Sequence, residues 1–164
     1  MSWSNYEKAI EIIEQNQEES DFVGKRSESL IEKAENTLGL KFSKIYRHFL
    51  INYGAGDFGS QEVYGVIDDD FINSSVPDAI WYTIKLRKNA GLPENYLIIY
   101  ATGMGELFCL DFNKLNRENE PAVVSINFGM EFSEQSIELI ADDFGDFLLE
   151  IFQEELEIIQ EELE

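Results

Sequence analysis

The stretch ESLIEKAENTLGLKFSKIYRHFLINYGAG, residues 28–56, carries the strongest fold signal in the chain. Apolar residues recur in its first half at intervals of three and four, which predicts a helix over residues 28–39 with one apolar stripe. Gly39 is placed to end that helix. Ser43 then starts another helix with a second apolar face, and Gly54 ends it. Two helices joined by a short connection therefore open the core.

Outward from this stretch, the pattern adds a helix at each end and a run of strands between them. A helix is predicted over residues 4–17, capped by Ser4, and residues 18–26 read as a polar connector. The later predicted elements are a strand at 61–66, a helix at 77–89, strands at 96–100, 106–112 and 122–128, a weaker strand at 132–139, and a long helix from Asp142.

Short strands joined by short turns favour antiparallel pairing. The prediction is thus an α+β fold, in which a mostly antiparallel sheet packs against N-terminal helices and a long C-terminal helix. The length of 164 residues fits a single domain. The apolar stripe of the last helix is long, so both a monomer and a homodimer paired through that helix stay open.

The charge balance restricts the partners. The chain carries 33 acidic against 12 basic residues, a formal net charge of −21. Such a field repels nucleic acid and anionic membranes, and it attracts basic partners. The alternative, that the acidity serves solubility, is equally open from composition.

The location is expected to be the cytoplasm. The N-terminus has no basic segment followed by an apolar one, and no apolar run approaches the roughly 20 residues that span a bilayer. The one cysteine, Cys109, lies in the apolar run 107–110 and is expected to be a buried small hydrophobe.

The residue pattern gives little support to catalysis. The single histidine, His48, excludes a multi-histidine metal site and is expected to be a surface or boundary imidazole. The run 68–70 lacks the spacing of a calcium loop, and residues 103–105 lack the pattern of a phosphate-binding loop. We therefore expect a non-enzyme without cofactor or metal. A metal-dependent hydrolase that uses acidic residues is a further hypothesis, which ranks well below protein binding.

Several stretches resemble the SUKH superfamily. Its first helix, written I-x-x-x-E-x-x-L-G, matches Ile31 to Gly39 with Glu35 at the acidic position, and its Y-x-x-F-L helix matches Tyr46 to Leu50. The glycine turn and the strand ending in Leu-Asp match 103–111, and the closing F-x-x-F-L helix matches 144–148. The resemblance covers about 28–152. Phe42-Ser43 stands where the family usually has Leu-Pro, and Ser43 can still cap the helix.

The resemblance implies an α+β domain with helices on an antiparallel sheet, and it implies protein binding. Many bacterial members are immunity proteins that bind and neutralise a cognate toxin, often a nuclease, whereas eukaryotic members are regulators linked to cell-wall synthesis. At Glu35, the conserved pattern of the family implies a buried cap or hydrogen-bond acceptor.

Our first hypothesis is therefore an immunity protein that occludes the basic substrate cleft of a toxin, with carboxylates replacing phosphates. A non-enzymatic regulator or scaffold with an endogenous partner is the alternative. The candidate contacts are the acids and aromatic residues of the strand–loop–helix region: Asp57, Glu62, Asp68, Asp69, Asp70, Asp78, Trp81 and Tyr82.

Overall fold

A computed structural model of the chain describes residues 2–127 and 129–164. Phe128, the last residue of one predicted strand, lies outside the described residues. The described part contains these α-helices: α1 (Ser2–Gln15), α2 (Glu28–Leu38), α3 (Lys44–Asn52), α4 (Ala79–Ala90) and α5 (Phe144–Leu163). A short 3₁₀ helix follows α1 at Gln17–Glu19.

The strands form two antiparallel sheets. The three-stranded sheet has the order β1 (Ser20–Phe22), β2 (Gly56–Phe58) and β3 (Gln61–Val63). The four-stranded sheet has the order β4 (Tyr96–Ala101), β5 (Glu106–Leu115), β6 (Pro121–Asn127) and β7 (Glu138–Ala141). The predicted α+β class is confirmed, and the antiparallel pairing is divided between two sheets. No helix of the described residues is long and apolar enough to cross a membrane.

The core forms where α5 crosses both sheets, and three phenylalanines of that helix make the contacts. Phe144 packs edge-on against Tyr46 of α3, with ring centroids 4.9 Å apart. Phe147 lies edge-on to Tyr100 of the four-stranded sheet at 5.3 Å. Phe152 meets Phe58 of the three-stranded sheet at 5.0 Å. One helix therefore joins both sheets to the N-terminal helices.

The predicted α2–α3 pair is confirmed, and Glu35 explains how its connection is held. One carboxylate oxygen of Glu35 accepts the backbone N–H of Phe42 at 2.7 Å, and the other pairs with Arg47 at 2.7 Å. This confirms the acceptor role expected of Glu35. Gly39 ends α2 in the left-handed conformation. Ser43 occupies the position before α3, but its side chain makes no capping hydrogen bond, so the expectation that it caps is wrong.

Two predictions near the N-terminus are also wrong. The first helix is already formed at Ser2, so Ser4 lies inside it and does not cap it. Residues 18–26 are not only a connector, because Ser20–Phe22 pairs with β2 as the edge strand β1. A three-residue strand is too short to show an alternating pattern in the sequence.

Other elements differ from prediction at their ends or in length. The strand predicted at 61–66 ends at Val63, and the weaker one predicted at 132–139 is the four-residue strand β7. The last helix begins one residue after its cap, Asp143, whose carboxylate accepts the N–H of Asp146. Cys109 is fully buried, as expected, and burial raises the pKa of its thiol.

A buried carboxylate fixes the turn between β2 and β3. Glu155 of α5 is 3% exposed and accepts both the backbone N–H and the hydroxyl of Ser60. Gly59 lies beside it with φ +57°, and a Cβ there would meet the Glu155 carboxylate at 2.1 Å. Glycine at 59 therefore serves both the turn and the close approach of α5.

We expect Glu155→Ala to lower the free energy of unfolding by about 2 kcal/mol. The substitution leaves the N–H and hydroxyl of Ser60 without an acceptor and creates a buried cavity beside them. Glu154→Ala is the matched control, since Glu154 is exposed on the same helix, and it should change stability by less than about 0.5 kcal/mol. Urea denaturation followed by circular dichroism measures both. Equal losses in the two variants would refute the role assigned to Glu155.

Candidate functional site

Three carboxylates stand in register across the three-stranded sheet. Asp57 of β2 is directly opposite Asp21 of β1 on one side and Glu62 of β3 on the other. Directly opposed residues share one face of a sheet, with Cβ atoms about 5 Å apart. The adjacent residues Phe58 and Val63 are fully buried and occupy the other face. We call Asp21, Asp57 and Glu62 the acidic ladder.

Gly56 allows this ladder to form. Its φ is +149°, and a Cβ built on it would lie 2.3 Å from the carbonyl oxygen of Asp21. A side chain at this position would therefore push β1 away from β2. The sequence Gly-Asp-Phe thus combines a close strand approach, an outward carboxylate and an inward aromatic ring in three residues.

The ladder carries negative charge that the chain does not compensate. Partial burial raises the pKa of Asp57, and the neighbouring Asp21 raises it further. Burial and then Asp57 raise the pKa of Glu62 in the same way. Within residues 2–127 and 129–164, no Lys or Arg forms an ion pair with any of the three. A cation from outside would relieve this repulsion.

An aromatic cluster lies beside Glu62, with the buried Tyr64 beneath the half-buried Trp81 and Tyr82. Tyr64 follows β3, and burial, then Glu62 and Tyr82, raise the pKa of its hydroxyl to about 12. Its ring centroid lies 6.1 Å from that of Tyr82, which in turn stacks on Trp81 at 5.9 Å. Trp81 and Tyr82 are half-buried on α4. The buried Tyr64 therefore connects Glu62, the last carboxylate of the ladder, to Tyr82 and Trp81.

Trp81 already has a cation over its ring. The Lys85 ammonium, one turn further along α4, lies 4.8 Å from the ring centroid. The contact is a cation–π interaction and shows that this ring face is accessible to a positive group. A partner that used the same face would have to displace Lys85.

Asp68, Asp69 and Asp70 form a separate group. Lys33 pairs with Asp69 at 3.7 Å and donates to its backbone carbonyl at 3.0 Å. Asp68 accepts the N–H of Asp70, and Asp70 accepts that of Asn73. The bonds from Asn73 and then Ile72 lower the pKa of Asp70. These carboxylates shape an exposed turn, so they are less available than the ladder.

The surroundings of this turn are of mixed charge. An open cleft of about 740 Å³ beside it is lined by Lys25, Arg26 and Lys33 as well as by Asp68 and Asp69. A basic partner would meet repulsion here as well as attraction. The turn is therefore a weaker candidate contact than the ladder.

Asp78 has a structural role that removes it from the candidate contacts. It is fully buried, and its carboxylate accepts the N–H groups of Ile80 and Trp81, each at 2.9 Å. Burial raises its pKa, and these bonds oppose that effect. Asp78 is the N-cap of α4 and thereby fixes where Trp81 and Tyr82 lie.

Sequence reasoning missed two residues of this region, Asp21 on the surface and Tyr64 beneath it. Asp21 lies in the stretch predicted as a connector, and Tyr64 lies in the strand predicted at 61–66, where the pattern assigns it no role. His48 is a boundary residue as expected: its Nδ1 lies 2.8 Å from the Tyr6 hydroxyl, and burial, then Lys44, lower its pKa. Among the described residues, no group of three or more His, Cys, Asp or Glu is arranged to hold a metal ion.

The fold and surface define an α+β protein with an uncompensated acidic ladder beside an aromatic patch, the stacked and half-buried pair Trp81 and Tyr82. The family model SUKH_5, described as SMI1-KNR4 cell-wall, matches residues 7–153. The chain therefore belongs to this SUKH family, as the sequence resemblance implied. The family is in general one of immunity and regulatory proteins. No curated protein matches the chain.

Removing the central charge of the ladder is expected to stabilise the fold. Asp57→Asn relieves repulsion from both neighbours, so we expect a gain of about 0.5 kcal/mol at neutral pH. The repulsion exists only when the Asp57 carboxyl is ionised, and the folded state raises the pKa of that carboxyl. The gain should therefore disappear as the pH falls through the raised pKa of folded Asp57 towards the ordinary aspartate value.

Thermal and urea unfolding at several pH values measure this gain. Glu32→Gln, an exposed position on α2, removes the same charge away from the ladder and controls for net charge. A loss of stability in Asp57→Asn at neutral pH, or a gain equal to that of the control, would contradict the account of the ladder.

Proposed function

We propose that this protein is an immunity protein that binds and neutralises a cognate bacterial toxin in the cytoplasm. The toxin is proposed to be a basic nuclease domain, and the acidic ladder to occlude its substrate cleft. The single observation that carries the proposal is the in-register row Asp21, Asp57 and Glu62, which has no ion-pair partner among the described residues. Membership of an immunity and regulatory family supports it.

The chemistry of such a contact follows from the spacing of the strands. Neighbouring strands lie about 4.8 Å apart, so the three carboxylates span about 10 Å of surface. Lysine and arginine that hold phosphate oxygens in a nuclease cleft can pair with carboxylates in the same way. The net charge of −21 would also accelerate encounter with a basic domain.

The aromatic patch is proposed to supply the apolar part of the interface. Trp81 and Tyr82 are half-buried and stacked, and aromatic residues of this kind often dominate binding energy at interface centres. Asp68, Asp69 and Asp70 are proposed as peripheral contacts. Asp69 should contribute least of these, because Lys33 already pairs with it.

A regulatory protein that binds an endogenous partner is the second candidate. The family description, SMI1-KNR4 cell-wall, favours it. The same acidic surface would serve, because it recognises basic protein surface and not a particular chemistry. The two candidates differ in the partner, and so the toxin experiment separates them.

The test is co-expression with the product of any neighbouring gene that is toxic when expressed alone. We expect the wild-type chain to restore growth and to co-purify with the toxin. The double variant Asp57→Asn/Glu62→Gln should weaken the complex by about tenfold, since each lost rim charge pair contributes up to about 1 kcal/mol. The charge-matched control Glu32→Gln/Glu157→Gln, exposed positions on α2 and α5, should weaken it by less than about twofold.

Absence of both rescue and complex with the wild-type chain would refute the immunity role. Rescue and affinity that respond equally to the two double variants would refute the ladder as the contact. Circular dichroism of each variant establishes that it is folded.

A further inference from the structure

A second surface lies on the four-stranded sheet, where α5 leaves part of the sheet uncovered. The groove between them has a volume of about 410 Å³. Its floor is aromatic, with Tyr100 of β4, Phe108 of β5 and Phe147 of α5. The groove is separate from the acidic ladder, which lies on the outer face of the other sheet.

The aromatic floor is held in a fixed arrangement. Tyr100 and Phe108 are stacked with centroids 5.3 Å apart and an interplanar angle of 28°. Phe147 stands edge-on to both, at 5.3 and 5.8 Å. The Tyr100 hydroxyl donates to Gln61 at 2.6 Å. Tyr100 and Phe108 are half-buried, so the rings are preorganised and partly open to a ligand.

The rim of the groove is acidic. Glu150 and Glu154 lie one turn apart on α5, and Glu138 lies on β7; all three are exposed. No ion pair is formed by any of them within the described part of the chain. The sequence after Arg117 contains no Lys or Arg, so neither β7 nor α5 supplies a cation to this rim.

The floor and rim are connected by the strand register. Tyr100, Phe108, Ser125 and Glu138 are paired in succession across the four strands. This row runs from the aromatic rings, past a small serine, to the carboxylate on the terminal strand β7. On that strand Leu139 is 58% exposed, and the outer edge of β7 pairs with no strand in the described residues.

We infer that this groove binds an arginine side chain carried on a basic, extended segment of a partner protein. The guanidinium plane stacks over Phe108 and Tyr100, and its N–H groups pair with Glu138 and Glu154. Arginine fits better than lysine because it combines a flat face with a fork of donors. The extended backbone suits the free edge of β7.

Charge complementarity selects this occupant. A neutral apolar segment would leave three carboxylates beside it without a cation, and a second copy of the chain would bring its own acidic surface. The inference extends beyond the proposed function, since it does not depend on the partner being a toxin.

The probe is a short, acetylated and amidated Val-Arg-Val-Arg-Val peptide, titrated into the ¹⁵N-labelled full chain at about 0.15 M salt. We expect amide shifts concentrated in β7, the end of β4 and the middle of α5. The lysine peptide should bind more weakly, and a peptide with citrulline in place of arginine should not bind measurably, since citrulline has no charge.

Variants separate the groove from general attraction to an acidic protein. Glu150→Gln/Glu154→Gln should weaken the affinity for the arginine peptide by about fivefold. The charge-matched Glu157→Gln/Glu161→Gln, exposed on the same helix, should weaken it by less than about twofold. Phe108→Leu should reduce the preference for arginine over lysine, and thermal unfolding establishes that each variant is folded.

Several outcomes would overturn the inference: equal effects of the two double variants, equal binding of the citrulline peptide, or shifts centred on the acidic ladder. Asp57→Asn/Glu62→Gln should leave peptide binding unchanged. Failure of the groove and failure of the ladder as a toxin contact are therefore distinguishable.

Discussion

The packing of Phe144, Phe147 and Phe152 on one helix is the interaction on which the rest of the structure depends. These rings meet α3, the four-stranded sheet and the three-stranded sheet in turn. Burial of each ring contributes about 2–3 kcal/mol. Helix α5 thus fixes the relation of the two sheets, together with the direct hydrogen bonds from the Tyr64 N–H to the Ile99 carbonyl and from the Tyr100 hydroxyl to Gln61.

The excess of acid imposes a second constraint, and the carboxylates divide into two groups under it. One group has structural roles. Asp78 and Asp143 cap helices, Glu155 holds a turn, and Glu35 holds the α2–α3 connection. Each of these acids accepts hydrogen bonds from the chain, which favour its charged form. Among the described residues the ladder acids have no such partners, and partial burial, followed by the neighbouring acid, raises the pKa of Asp57 and Glu62. Uncompensated charge at fixed spacing is a property of a binding surface.

The sequence was most informative where the pattern was long. Residues 28–56 predicted α2 and α3 correctly because apolar periodicity and glycine stops agree there. The three long strands of the four-stranded sheet were predicted for the same reason. The three-residue strands β1 and β2 were not predicted, since they show too few alternations. The ladder depends on them, because β1 carries Asp21 and their pairing sets its register. Asp78 was predicted as a contact because it is acidic. It instead caps the N-terminus of α4 and is buried, which its charge alone does not reveal.

The central claim is that the uncompensated acidic surface recognises a basic protein. Calorimetric titration of the chain with the purified basic domain of the proposed toxin partner, at a series of salt concentrations, tests it most directly. The account predicts a stoichiometric complex whose affinity falls by about tenfold or more between low and physiological ionic strength, because exposed charge pairs are screened. No complex, or an affinity that salt leaves unchanged, would contradict it.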